Sequence, residues 1–390
     1  MRILVIVIIL SIICIPTNIY AYDPQTRDNN KYGIHIIDEN DLDNASALVN
    51  SSGGDWGYVT MVITENDRST DKWQKIFDRM RSSHIIPIIR IATKPKNGIW
   101  EKPSLSEAKN WADFLSGLNW VIQNKYVIFF NEPNHAKEWG GTINPKEYTD
   151  VISIFASELK NKSQDFFIML SGFDASAPNG ESTIDETKFL REMIAYNPDL
   201  FTNIDGWASH SYPNPGFTGK VSDSGRGTLR TYRWELDLLN SLGVKKNLPV
   251  FITETGWPHQ EGNNNINYYS ADDVSELINL ASEEIWKDQN IIAVTPFVLN
   301  YPFYPFSNFS WQKREGDTFY SQFDSYRSIP KIIGKPIIEK PNSNNNTKIQ
   351  ILGDQISNKD QITMVKNPSK IMDFFIKLVN IPLMFLKNII

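Results

Sequence analysis

Eight short apolar runs, each followed by a polar turn and a longer stretch of mixed character, set the tightest limit on the fold of this 390-residue chain. The runs are YGIHI (32–36), WGYVTMVIT (56–64), IIPIIRIA (85–92), YVIFF (126–130), FFIMLSGF (166–173), IDGWASHSY (204–212), LPVFITETGW (248–257) and IIAVTPFVLNYP (291–302). They are rich in β-branched and aromatic residues and show little polar alternation, so they are predicted to be strands buried on both faces. Between them, helical periodicity runs through 71–84, 106–123, 145–162, 185–197, 229–243 and 270–288. Several of these stretches begin at Ser, Asp or Pro, and the fifth stops at Gly243, as helices commonly do. Buried strands alternating with helices in this number predict an α/β chain folded as a (β/α)8 TIM barrel over residues 31–330. The rival, a doubly wound open sheet, calls for a glycine-rich phosphate loop after an early strand, and the sequence has none.

Composition narrows the partners. With 41% hydrophobic residues the chain has material for one large core, and a net charge of −6 without any basic run interleaved with aromatics argues against nucleic acid. Residues 1–21 read as a signal peptide: Arg2, an apolar stretch from Ile3 to Ile15, then a polar segment ending in Ala21. Ile19 at the −3 position leaves an uncleaved anchor open, and either way the body is expected to be exported, secreted or associated with the cell envelope. The only cysteine, Cys14, lies in that segment, so neither a disulfide nor a thiolate metal site is expected in the mature chain. Residues 331–370, with an asparagine run and several prolines, read as a linker or extension. Residues 371–390 read as an apolar C-terminal helix, interrupted by Asp373, Lys377, Pro382 and Lys387. Contact with a membrane surface and docking on the barrel both stay open for it. A monomer is expected.

In a barrel the carboxyl ends of the strands face one pocket, so the strand ends are read together. The fourth run ends in Asn131-Glu132, the sixth in His210 and Tyr212, and the seventh in Glu254. A glutamate at the end of a buried run is also what a helix cap or a surface ion pair looks like, but here two such glutamates converge on one mouth. Two carboxylates about 5 Å apart are the apparatus of retaining glycoside hydrolysis, one as acid/base and one as nucleophile. Burial and the partner's charge are expected to keep Glu132 protonated, while His210 and Tyr212 keep Glu254 ionised. Asn131 is placed to bind a sugar hydroxyl.

With NEPN at 131–134 and TETGW at 253–257, the chain resembles glycoside hydrolase clan A, the retaining (β/α)8 enzymes that include cellulase-like, mannanase and xylosidase families. The likeness covers roughly residues 31–312. It implies Glu132 as acid/base, Glu254 as nucleophile, Asn131 as ligand of the 2-hydroxyl, Tyr212 in contact with the nucleophile and His210 beside it. NEPN is similar to the cellulase-like and xylosidase-like families, and ETGWP is similar to the nucleophile motif of β-1,3-glucanases. The arginine that cellulase-like enzymes place near the nucleophile has two candidates, Arg68 and Arg90, and Arg90 is favoured because it lies within a strand.

Sugars stack their C–H faces on aromatic rings; any one tryptophan reads more readily as core, but Trp139, Trp257 and Trp311 as a group lie in segments expected to form the mouth and are the candidates. His35 is expected on the pocket floor. The five histidines show no metal-ligand spacing, so no metal and no cofactor are expected. The function implied is a retaining β-glycoside hydrolase acting on a β-linked oligo- or polysaccharide. A catalytically silent carbohydrate-binding or envelope protein and a transglycosylase on the same barrel remain alternatives.

Overall fold

The computed structural model describes residues 21–262, 265–316 and 318–339. The expected signal peptide up to residue 20, the extension from residue 340 onward and the apolar segment 371–390 lie outside the described residues.

Among the described residues, eight parallel strands alternate with eight helices. The strands are β1 (Gly33–His35), β2 (Gly57–Thr64), β3 (Ile85–Ala92), β4 (Lys125–Phe129), β5 (Phe166–Met169), β6 (Trp207–His210), β7 (Val250–Glu254) and β8 (Ile291–Val294). The helices are α1 (Leu42–Val49), α2 (Thr70–Ser82), α3 (Glu107–Ser116), α4 (Pro145–Lys162), α5 (Glu186–Tyr196), α6 (Thr231–Ser241), α7 (Ala271–Glu284) and α8 (Ser321–Ser328). Continuous ladders join β1 through β5 in sequence and β6 through β8 in sequence. Single parallel bridges close the ring, Met169 to Gly206 between the two arcs and Tyr32 to Val294 between the last strand and the first. The architecture is therefore a (β/α)8 barrel.

The strands form because their side chains are buried on both faces: β1 and β4 to β8 have no exposed residue. Inside the barrel, Tyr126 packs against Phe167 and Phe251 with ring centroids 5.1 and 4.9 Å apart, and Tyr58 lies 6.2 Å away, making an aromatic plug. A hydroxyl pair follows toward the carboxyl ends of the strands, Thr60 to Thr295 at 2.8 Å. Arg90 lies two residues beyond Ile88, the neighbour of both Thr60 and Tyr126 in the ladders, and so faces the same interior.

Helix starts follow the capping residues: Ser69 for α2, Asn144 before Pro145 for α4, Asp185 for α5, and Ser270 with Asp273 in a reciprocal box for α7. α3 ends at Gly117, and the remainder of the expected helix becomes an irregular segment whose Leu118, Trp120, Val121 and Ile122 fill the core. α1 and α8 do not stand out in the periodicity. α8 buries only Gln322, Phe323 and Tyr326, yet the Tyr326 hydroxyl donates to the Gly33 carbonyl at 2.8 Å and fixes the helix to β1.

The packed body runs past both expected boundaries. The Ala21 amide donates to Gln164 O at 3.0 Å, and beyond residue 330 the chain runs along the amino-terminal rim, with Ile333 bridged to Asp55 and Ile338 to Ile122.

Candidate active site

β4 does not simply end in a glutamate. Strand alternation from Tyr126 places Phe130 inside the barrel, but Phe130 takes φ +67° and turns its ring outward against Phe155 of α4 and Trp139, with centroids 5.5 and 5.6 Å apart. Glu132 then takes φ +27° and donates its amide to Gly172 O at 3.2 Å. This left-handed backbone turns Asn131 and Glu132 over the mouth, at a cost of about 1–3 kcal/mol per residue. The surrounding loops hold it. Asn134, fully buried, ties the loop after β4 to the loop after β5 through Asp174 O at 2.9 Å and Ile184 O at 3.2 Å.

Glu254, the last residue of β7, receives a donor on each oxygen. Arg90 Nη1 donates to Oε1 at 3.0 Å, and the Tyr212 hydroxyl donates to Oε2 at 3.1 Å. The same Arg90 nitrogen donates to Asn131 Oδ1, which orients the amide and leaves its nitrogen as a donor toward the pocket. Burial, then the charges of Glu254 and Glu132, push the Tyr212 phenol well above its ordinary pKa, so it stays a donor. Arg68 is elsewhere, paired with Glu107 at 2.6 Å.

His210 stands between the two glutamates. Its Nδ1 is 2.9 Å from Glu132 Oε1 and 3.8 Å from Glu254 Oε2. One oxygen of each carboxylate and a His210 nitrogen all lie within 4.8 Å of one another. His210 fits because residue 172 is glycine: a Cβ there would stand 2.1 Å from His210 Cδ2. The proton distribution differs from the expectation that Glu132 is the protonated partner. Burial pulls the Glu132 carboxyl up, but the His210 hydrogen bond and charge outweigh it and hold the carboxyl below its ordinary value. Burial likewise opposes a charge on His210, yet Glu254 and Glu132 together raise it above 6.5. The resting pair holds one proton, placed toward His210.

His35 is fully buried beneath the site, its Nδ1 4.0 Å from Glu254 Oε1. Burial drives its pKa to about 3, so it is a neutral floor. The three tryptophans are a correction. Trp139, Trp257 and Trp311 are exposed by only 1, 2 and 2%, so their faces are taken by protein and offer no open platform for sugar. Trp139 packs on Phe130 and Tyr148, Trp257 donates to Gly219 O at 2.9 Å, and Trp311 packs edge-on to Tyr326.

Residues absent from the sequence reading take their places. Phe297, just beyond β8, is half-buried and edge-on to His35 at 5.2 Å. On the Glu132 side, His135 pairs with Asp174 at 2.8 Å, and Glu138 lies close enough for its carboxyl, raised mainly by burial, to feel Glu132. His135 and Glu138 follow Glu132 in the same loop, which was the available signal. Phe297 had none beyond lying within the eighth apolar run.

Neither a protein-family model nor a curated protein sequence matches the chain. Solved structures do. A monomeric β-xylosidase from Caulobacter crescentus matches with TM-score 0.51 at 13% identity, over 77% of this chain and 68% of that one. A glucosidase from Croceicoccus marinus matches with TM-score 0.52 at 10% identity, over 72% of this chain and 61% of that one. At such identities the likeness shows the fold alone, a barrel that this chain shares with those two proteins.

Proposed function

We propose that this chain is a retaining β-glycoside hydrolase that cleaves O-glycosidic bonds of a β-linked oligo- or polysaccharide. The observation that carries the reading is the approach of Glu132 and Glu254, within 4.8 Å at their nearest oxygens, from separate strands of one mouth. Inverting enzymes keep their carboxyl groups about 6.5–9.5 Å apart to admit a water, whereas retaining enzymes need about 5–5.5 Å. The names of the structural neighbours, a β-xylosidase and a glucosidase, agree with a carbohydrate substrate.

In the first step a Glu254 oxygen attacks the anomeric carbon and the bond to the leaving oxygen breaks. Glu132 hands that oxygen the proton it shares with His210. Arg90 and Tyr212 hold and aim Glu254, and the Asn131 amide nitrogen donates to the 2-hydroxyl. In the second step Glu132 takes a proton from water, the water oxygen attacks the anomeric carbon, and Glu254 leaves as a carboxylate. No cofactor enters. The first 21 residues support export, so the substrate is met outside the cytoplasm.

The test is turnover of β-glucan, β-mannan, β-xylan and aryl β-glycosides by the wild type and by Glu132→Gln and Glu254→Gln. Each variant is expected to lose at least about 10²–10⁴-fold, and the first product is expected to be the β anomer by NMR. Glu132, His210 and Glu254 are also spaced as cation ligands would be, so a chelator is added to the assay; activity unchanged by it is expected. Full activity in either variant, or an α product, overturns the mechanism.

A further inference from the structure

The mouth is asymmetric. From Glu254 a row of rings leads away from the catalytic pair: His35 at 4.0 Å, Phe297 edge-on to His35 at 5.2 Å, Phe306 edge-on to Phe297 at 5.6 Å, and Tyr301 edge-on to Phe306 at 5.6 Å. The row enters the loop between β8 and α8. There Phe303, Tyr304 and Tyr320 line a cleft of about 440 Å³ together with Glu261 and Arg314. Tyr304 and Phe306 leave 48 and 40% of their surface to solvent, unlike the three buried tryptophans. Glu261 is fixed in place, its carboxylate accepting the Ala271 amide at 3.0 Å and facing His259 Nδ1 at 3.2 Å.

Exposed ring faces beside one anchored acceptor and one guanidinium donor suit a neutral sugar, whose C–H face stacks while its hydroxyls both donate and accept. A purely apolar ligand would make no use of the carboxylate or the guanidinium, and an anion would meet Glu261. The cleft's place relative to the catalytic pair sets which part of a glycan reaches it. The leaving oxygen lies beside Glu132, on the side of β4 and β5, while the ring row departs from Glu254 toward β8.

We infer that the cleft between the loops after β7 and β8 is a remote sugar subsite on the glycone side, so that the enzyme acts within or near the end of a β-glycan chain rather than on a lone terminal sugar. The orientation rests on the proposed hydrolase mechanism. The existence of the sugar site does not.

Two measurements separate them. Initial rates are taken on aryl β-glycosides of the gluco, manno and xylo series with one to four sugars in the glycone. Calorimetric titrations of β-linked oligosaccharides of two to six units use the Glu254→Gln protein. Both are repeated with Tyr304→Ala and with Arg314→Ala. kcat/KM is expected to climb with glycone length, and Tyr304→Ala to cut it about tenfold on the longest glycosides while leaving the monosaccharide rate unchanged, the order of effect of losing one ring face. Wild-type rates independent of glycone length, or oligosaccharide affinities untouched in both variants, overturn the subsite. Long oligosaccharides that bind the Glu254→Gln protein and are lost with Tyr304→Ala, while the wild type turns over nothing, sustain the subsite and sink the hydrolase. No binding by the Glu254→Gln protein together with no turnover by the wild type sinks both.

Discussion

His210 does more for Glu132 than lie beside it. Its Nδ1 is 2.9 Å from one carboxyl oxygen, and the pair carries a single proton whose home is nearer the imidazole. In the proposed mechanism, activity needs that proton present and Glu254 free to attack. The basic limb of the pH profile therefore reports loss of the pair's proton, and with His210 raised above its ordinary 6.5 the limb lies above that value. Replacing His210 by Ala leaves the proton to a carboxyl alone. Burial then lifts Glu132 above its wild-type position, but a single carboxyl still releases its proton before the pair does, so the basic limb is expected to move to lower pH. Profiles of kcat/KM for wild type and His210→Ala check this, and an unmoved basic limb would remove His210 from the proton pathway. The two glutamates and Asn131 were legible in the sequence because each follows an apolar run. The turn that aims Asn131 and Glu132 was not, since left-handed φ at Phe130 and Glu132 leaves no mark when the residue is not glycine. Nor was the space for His210, which depends on Gly172, a residue 38 positions away in sequence.

At the scale of elements, α5 and α6 meet behind β6 over an uncommon contact. Glu186, at the start of α5, and Glu235, within α6, are both fully buried and lie against each other, and Trp207 of β6 donates its indole N–H to Glu235 at 2.9 Å. Burial is the main cause that drives Glu235 to about 7 and Glu186 well above the ordinary carboxyl value, with the neighbouring acid adding to it for Glu186. In the unfolded chain both titrate near 4.5. Folded pKa values raised above unfolded ones mean that the native state binds more protons between about pH 4.5 and 7. Stability from this contact is thus complete below about 4.5 and declines as pH rises through 7. Wild-type Tm is expected to fall by roughly 3–6 °C from pH 5 to pH 8 on this account, and Glu186→Gln, whose amide donates without ionising, to flatten the fall. Thermal unfolding of both proteins across that range is the check; parallel curves would show that the pair does not govern it. Sequence periodicity marked the two helices that supply these acids, but placed Glu186 and Glu235 on no particular side. α1 and α8 escaped it because eight residues are barely two turns, too few for a period to show.

Over the whole molecule, the rim that carries Glu132 and Glu254 and the opposite rim are built by different parts of the chain. The mouth comes from the strand ends and the loops that follow them, which is why a reading of apolar runs reached it. The amino-terminal rim is covered by residues 331–339, the start of the segment 331–370 that reads as a linker or extension. Its order comes from partners that no local pattern discloses. Lys331, largely buried, donates to the carbonyls of Tyr326 at 2.8 Å and Ile329 at 3.0 Å, and the Gln123 amide donates to Ile337 O at 2.8 Å. Glu339 pairs with Lys125 at 3.1 Å, and Arg81 donates to the Glu339 carbonyl at 2.9 Å. Lys125 is only 7% exposed, so removing Glu339 strands a cation in a low-dielectric place, at a cost of about 3–5 kcal/mol. A chain ending at residue 330 is therefore expected to melt at least about 5 °C below one ending at 339. Lys125→Met in the longer chain separates the two contributions. If the charge dominates, that variant tolerates truncation better than the parent, whereas equal losses in both would assign the effect to the hydrogen bonds that the Gln123 amide and the Arg81 guanidinium donate to the segment's carbonyls. Because the segment lies on the rim away from Glu132 and Glu254, kcat measured well below the melting point is expected to be the same for both lengths. A kcat that falls in step with Tm would mean the two rims are mechanically coupled through the aromatic plug of Tyr58, Tyr126, Phe167 and Phe251.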